Sequence, residues 1–235
     1  MLFTVFTLLV VSIRGNALSQ HVDMLSQTTP PVKIAANNTQ GVITKDEPKV
    51  DRDTSFNMIN TRYKLAVDRL KQKAASIGEY AKANNFSADY VFLVDMSIPS
   101  GKNRFFVYNL KKDTLVCSSL VSHGFGSTIK TSEDQLIFSN NNYSFKTSLG
   151  KYKIGNSYIG TYGLAYKLYG LDSTNSKAFE RAIVLHSDVH VPTSEIYPYK
   201  IFQSAGCPTV APTFLPILGK YIKASKKPIL MWIYN

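Results

Sequence analysis

The 235-residue chain has little charge, little sulfur and no long apolar run. Charged residues make up only 18% and hydrophobic residues 44%, a balance that excludes a globally disordered chain and permits a sizeable core. Only two cysteines are present, Cys117 and Cys207. They are too few for a disulfide framework or a thiolate metal cage. The apolar stretch at the N-terminus runs only from Leu2 to Ile13, too short to span a bilayer. It carries no Lys or Arg ahead of it and no Cys behind it, so a lipoprotein anchor is excluded. The net charge is +11, yet no run of five basic residues occurs, which argues against a nucleic-acid partner. An anionic surface accounts for the charge equally well.

What is present falls into four stretches. Residues 1–19 read as a secretory signal peptide, with Gly15-Asn16-Ala17 supplying small residues after the apolar run. A retained N-terminal anchor is the rival reading; after cleavage no stable membrane insertion is expected. Residues 20–53 are polar and aperiodic, which predicts a flexible linker. Over 54–86, Phe56, Ile59, Tyr63, Ala66, Val67, Leu70, Ala74, Ile77 and Ala81 recur at intervals of three and four, an amphipathic helix packed on the domain that follows.

From residue 87 to 235 the period shortens toward two. Strands are expected at 90–96, 105–110, 115–121, 150–155, 164–168, 183–185 and 229–234, a short helix at 175–182 and a second amphipathic helix at 212–223. The sum is an α+β class: a β-rich mixed sandwich or barrel-like domain with peripheral helices, and not a doubly wound sheet.

The segment Gln203-Ser204-Ala205-Gly206-Cys207-Pro208-Thr209 carries the chemistry. A Cys between Gly and Pro sits on neither a helix interior nor a central strand. Such a turn exposes the thiol at a fixed angle and frees main-chain N–H groups for an oxyanion. Cys117, in Leu115-Val116-Cys117-Ser118-Ser119, reads instead as a small strand hydrophobe. A thiol is mostly protonated near neutrality and needs a base. His186 ends a short apolar strand, and His123 lies just past another; from the residues alone either serves. A third reading joins Cys117 to Cys207 in a disulfide and makes the chain a non-enzymatic envelope-binding module.

Several pieces fall in one order: Ser122-His123-Gly124-Phe125-Gly126-Ser127, Phe138-Ser139-Asn140, Ser148-Leu149-Gly150-Lys151-Tyr152, Tyr169-Gly170-Leu171-Asp172, Arg181-Ala182-Ile183-Val184-Leu185-His186 and Ser204-Ala205-Gly206-Cys207-Pro208. This set resembles the murein L,D-transpeptidase catalytic domain family. The resemblance implies that Cys207 is the acylated nucleophile and His186 the general base, oriented by a backbone carbonyl. It implies that Ser204 and Gly206 shape the turn and the oxyanion site. His123 maps to a His-Gly element and is held as a substrate contact. No metal and no cofactor is implied. The expected partners are peptidoglycan stem peptides, the expected place is the periplasm or cell envelope, and a monomer is the default. A sortase-like transpeptidase shares the order His before Cys, but it needs an Arg after the Cys, and no Arg follows Arg181. The chain also departs from the family in having Ser187-Asp188 after the base, where Gly-Ala is usual.

Overall fold

The computed structural model describes residues 52–129 and 132–235. The expected signal peptide and nearly all of the expected linker lie outside these residues. The first described element is helix α1 (Arg52–Ala83). Strands β1 (Tyr90–Asp95), β2 (Phe105–Asn109) and β3 (Thr114–Ser119) follow. After a 3₁₀ turn (Phe125–Ser127) come the short pair β4 (Thr128–Ile129) and β5 (Ser132–Leu136). Then come β6 (Gly150–Gly160), β7 (Gly163–Gly170), β8 (Val184–Ser187), β9 (Thr209–Val210), helix α2 (Leu215–Ala224) and β10 (Leu230–Tyr234).

Eight strands form one mixed sheet in the order β3-β2-β1-β10-β6-β7-β8-β9, and β4-β5 form a separate ribbon. Two neighbouring pairs are parallel, β1 with β10 and β8 with β9. The chain's last strand thus lies in mid-sheet, between β1 and β6. Alternate residues of β1 and β10 face opposite ways, as the pleat requires. Val91, Leu93, Leu230 and Tyr234 meet Leu70, Ala74, Ile77 and Ala81 of α1. Phe92, Val94, Met231 and Ile233 join the larger core on the other face, where Leu215 and Leu218 of α2 pack. Both faces of these strands are covered, which explains their unbroken apolar runs.

The sheet is mixed and the helices peripheral, as the sequence suggests, but no barrel closes among the described residues. The edges β3 and β9 touch at one corner only. Val121 bridges Val210, and the Ser122 amide donates to the Thr209 carbonyl at 2.8 Å. That corner brings Ser122-His123-Gly124 against the segment 203–209. Gly124 pairs with Ser204, and the Ser204 amide donates to the His123 carbonyl at 2.9 Å.

Two expectations need correction. Residues 175–182 form turns, not a helix. Asn175 spends its side chain on the Asp172 amide and the Lys151 carbonyl, and Ala182 holds φ +53°. The strands expected at 150–155 and 164–168 are ends of one long hairpin. A register shift between Ile154 and Ser157 breaks the alternation that a period of two requires.

Candidate active site

Cys207 sits in the turn between Ser204 and β9, and both cysteines are free, so no disulfide joins Cys117 to Cys207. Gly206 adopts φ +122°, where an L side chain is strained. A Cβ there would also press on the Lys146 carbonyl at 3.0 Å and Arg181 Nη2 at 3.4 Å. Gly124 packs as tightly from the other side: its Cβ would stand 2.9 Å from the Gly206 Cα.

Ser204 locks the turn from within. Its hydroxyl donates to the Cys207 carbonyl at 2.6 Å and accepts from the Gly206 amide at 3.1 Å. The Gly206 N–H is therefore occupied. The Cys207 N–H, by contrast, meets no acceptor among the described residues.

The thiol packs against the core, and its hydrogen bonds run to main chain. The Val184 amide donates to Sγ at 3.4 Å, and Sγ donates to the Ala182 carbonyl at 3.7 Å. Burial pushes the Cys207 thiol up, while the Val184 N–H and the Arg181 guanidinium pull it back. The net direction is upward, so the thiol is protonated near neutrality and a base is required.

His186 lies two residues beyond Val184 on β8, in register with Thr209, itself two residues beyond Cys207. Parallel pairing of β8 with β9 therefore brings His186 to the strand that the Cys207 turn leads into. The imidazole is buried, and burial holds its pKa below the ordinary value. The Ser187 carbonyl and the Asp188 charge oppose that shift. Nδ1 faces the Ser187 carbonyl at 3.1 Å. A carbonyl only accepts, so Nδ1 carries the proton and Nε2 holds a lone pair. Nε2 faces the Thr209 hydroxyl at 3.0 Å, not the thiol. Tyr162, at the tip of the β6–β7 hairpin, stacks on the ring with centroids 5.1 Å apart.

His123 is held differently. Arg104 Nη2 donates to its Nδ1 at 2.9 Å, which leaves the proton on Nε2, 3.2 Å from the Thr128 hydroxyl. Burial first, then Arg104 and Lys200, push its pKa down to about 3. It lines a cavity on the Gln203 side of the turn. His190 is exposed and its Nδ1 meets Asp188 Oδ1 at 2.7 Å, so the Ser187-Asp188 departure gives this loop a side-chain hydrogen bond near His186.

Three contributors escaped the sequence reading. Thr209 is fully buried and joins His186 to the Cys207 carbonyl, the latter at 3.3 Å. Arg181 lies behind Gly206 and donates to the Ser139 carbonyl at 2.9 Å, the Lys146 carbonyl at 2.7 Å and the Ser148 hydroxyl. It supplies a cation near Cys207 from upstream in the chain. Arg104 is the third. Thr209 and Arg181 stood within the segments 203–209 and 181–186 with no role attached, and Arg104 stood outside every such segment.

No curated protein matches the chain. Among solved structures, Bdellovibrio bacteriovorus Bd1075 aligns at 19% identity over 64% of this chain and 49% of that one, with a TM-score of 0.38. The chain thus spans about half the length of Bd1075. An L,D-transpeptidase from Xylanimonas cellulosilytica aligns at 14% identity over 62% and 60%, with a TM-score of 0.35. One from Mycobacterium tuberculosis aligns at 12% over 63% and 58%, with a TM-score of 0.32. The family model for the L,D-transpeptidase catalytic domain matches residues 61–234, from within α1 to the end of β10. With the match running across the sheet, the turn and both histidines, the chain belongs to the L,D-transpeptidase catalytic domain family.

Proposed function

We propose that the protein is a cysteine L,D-transpeptidase acting on peptidoglycan stem tetrapeptides, with Cys207 as nucleophile and His186 as general base and acid. The observation that carries this reading is the geometry of His186: its Nδ1 is fixed on the Ser187 carbonyl, which leaves the Nε2 lone pair to accept, and its strand pairs with the strand that follows the Cys207 turn.

For the proton transfer Sγ leaves the Ala182 carbonyl and reaches Nε2. The Thr209 hydroxyl has a second acceptor in the Cys207 carbonyl and releases Nε2 for the thiol proton. The thiolate attacks the amide carbonyl of the third stem residue. Negative charge develops on that oxygen, and the Cys207 N–H is the main-chain donor available to it. One such donor is worth about 3–4 kcal/mol in the transition state. The Gly206 N–H serves the turn instead, through Ser204. Collapse breaks the amide bond, and the departing D-residue's amine takes the proton from His186. An amine of a neighbouring stem then attacks the thioester, giving a 3→3 crosslink and restoring the thiol; water in its place gives carboxypeptidase activity. Ser204 and Gly206 act by holding the turn, and His123 by its place at the adjoining cavity.

This chemistry belongs to the cell envelope, and export by the N-terminal segment is part of the proposal. No helix among the described residues is long and apolar enough to cross a membrane. The test is incubation of the purified protein with a disaccharide tetrapeptide beside Cys207→Ala. The wild type is expected to release the terminal D-residue or form dimers, and the variant to do neither. Equal turnover by both removes Cys207 from the mechanism.

A further inference from the structure

Charge is divided unevenly along the chain. Residues 135–171 and 196–235 contain no Asp or Glu, while the first stretch holds four lysines and the second five. The first builds β6 and β7, and the second builds α2 and β10. The fold brings them together, because the Ile154 amide donates to the Ile229 carbonyl at 3.1 Å. Lys153 thereby meets Lys226 and Lys227 across one cleft of about 380 Å³, which Asn156 and Tyr169 also line. Lys226 and Lys227 are exposed. Basic clusters more than 70 positions apart in sequence thus share a single concave surface.

Strand β7 carries the charge on toward the thiol. Its Tyr166 and Leu168 enter the core, so Lys167 and Tyr169 point away from it by the strand alternation. Tyr169 stands opposite Lys153 on β6, and Lys167 opposite Val184 on β8. Lys167, Tyr158 and Phe179 line a second cleft of about 350 Å³, whose wall includes Ala182 and Val184. The Ala182 carbonyl and the Val184 amide are the groups that hold Sγ. The two clefts abut, because Tyr169 of the first stacks on Phe179 of the second with centroids 5.2 Å apart. Each ring has an ammonium beside it. Lys153 lies 4.6 Å from the Tyr169 centroid, and Lys167 lies 5.9 Å from those of Tyr158 and Phe179. Rings that carry the lysine stems keep the ammonium groups at the surface, along the clefts. Clefts lined by one sign of charge focus the field and concentrate a polyanion there.

We propose that the joined clefts are a docking track for an anionic peptidoglycan strand, which they hold so that one of its stems reaches Cys207. Continuity with the thiol selects the occupant. A strand lying in the second cleft passes the residues that hold Sγ, so it is the polymer that bears the scissile stem. Each tetrapeptide stem ends in a free carboxylate, and a strand with several stems engages several lysines at once. A lipid surface is flat and would touch only the rims of the clefts. The charge and its route stand on the structure alone; the choice of peptidoglycan rests on the transpeptidase reading.

Cosedimentation of the full chain with purified sacculi, stripped of phosphate polymers by hydrofluoric acid, tests the track. The wild type is expected to bind, and to bind about tenfold more weakly as salt rises from low to physiological strength. The triple variant Lys153→Gln, Lys226→Gln, Lys227→Gln should bind about fivefold more weakly than the wild type, or worse. A triple variant with the same loss of charge elsewhere, Lys64→Gln, Lys71→Gln, Lys112→Gln, should stay within about twofold. If the first triple variant does not fold, the pair Lys226→Gln, Lys227→Gln decides. Equal binding by the two triple variants overturns the track. Sacculi with amidated carboxylates should lose the wild-type protein, and undiminished binding to them overturns the carboxylate recognition. Vesicles of phosphatidylglycerol test the membrane instead; binding there as tight as to sacculi, and lost in the same variant, overturns the assignment to peptidoglycan. Tetrapeptide processing by the wild type, with sacculus binding indifferent to the lysines, strikes the track and leaves the transpeptidase reading intact. Lysine-dependent binding to sacculi without processing of tetrapeptide keeps the track and strikes the transpeptidase reading.

Discussion

Two buried histidines flank the segment 203–209, and each touches a threonine hydroxyl: His186 meets Thr209 at 3.0 Å and His123 meets Thr128 at 3.2 Å. Burial holds the pKa of both down, so both are neutral at pH 7. Their tautomers are nevertheless opposite. A carbonyl at Nδ1 forces the proton onto that nitrogen in His186 and leaves Nε2 able to accept. A guanidinium at Nδ1 forces the reverse in His123, whose Nε2 is already protonated. Depth and nearness to a nucleophile do not make a general base. The group on the far nitrogen decides which ring has a lone pair to offer.

The largest effect that breaks or upholds this contrast is on acylation. His186→Ala should cut the rate of Cys207 acylation by about 10²–10⁴-fold, the usual range for a positioned base. His123→Ala should leave it within about tenfold by the same reckoning. Mass spectrometry of the protein after exposure to tetrapeptide reads both rates. A folded His123→Ala protein that fails to acylate would reverse the assignment.

Stability should divide the pair the other way. Removing His123 strips Arg104 of an acceptor in the interior, a loss of about 1–3 kcal/mol in urea unfolding. His186→Ala should cost less, because its two partners are a carbonyl at its own chain neighbour and a hydroxyl with another acceptor. The pH dependence follows from the same burial. The folded pKa of His123 is about 3, below the ordinary value of about 6.5. As pH falls below ~6.5 the unfolded chain takes up a proton that the folded chain refuses until about pH 3. Stability therefore declines across that window, and the decline should flatten in His123→Gln.

The acid limb of kcat/KM should lie below pH ~6.5, since the neutral form of His186 is favoured by burial. The smallest effect is expected from Thr209→Val. A hydroxyl donating to Nε2 stabilises the neutral ring, so its loss raises the His186 pKa and moves the acid limb upward, with kcat changed only a few-fold, about 1 kcal/mol. An acid limb that moves down would mean that the hydroxyl accepts at that contact and that the tautomer is the other one.

Much of this was legible beforehand, and the reasons differ from place to place. Helix α1 announced itself because Leu70, Ala74, Ile77 and Ala81 repeat at the helical period and pack on one surface. The turn at Cys207 was legible because Gly206 needs a backbone that only glycine takes easily. The opposite tautomers of His186 and His123, on which the proposed assignment rests, were not legible from residues alone, because they depend on a carbonyl in one case and on Arg104, distant in sequence, in the other. Arg104 reads as an ordinary polar residue ahead of a strand. Only the corner where Val121 meets Val210 turns it inward against His123. The failed helix at 175–182 has the same origin: Asn175 answers to Lys151 on another strand, a demand that no local pattern records.

The position of β10 sets an order of events. Because residues 230–234 fill the gap between β1 and β6, the two flanks of the sheet stay unjoined along that line until this strand arrives. The groove contacts linking Ser122 to the Cys207–Thr209 turn cross from one flank to the other. Without residues 230–234 the two flanks would meet only at that corner, so the surroundings of the thiol depend on a strand 23 positions further along the chain.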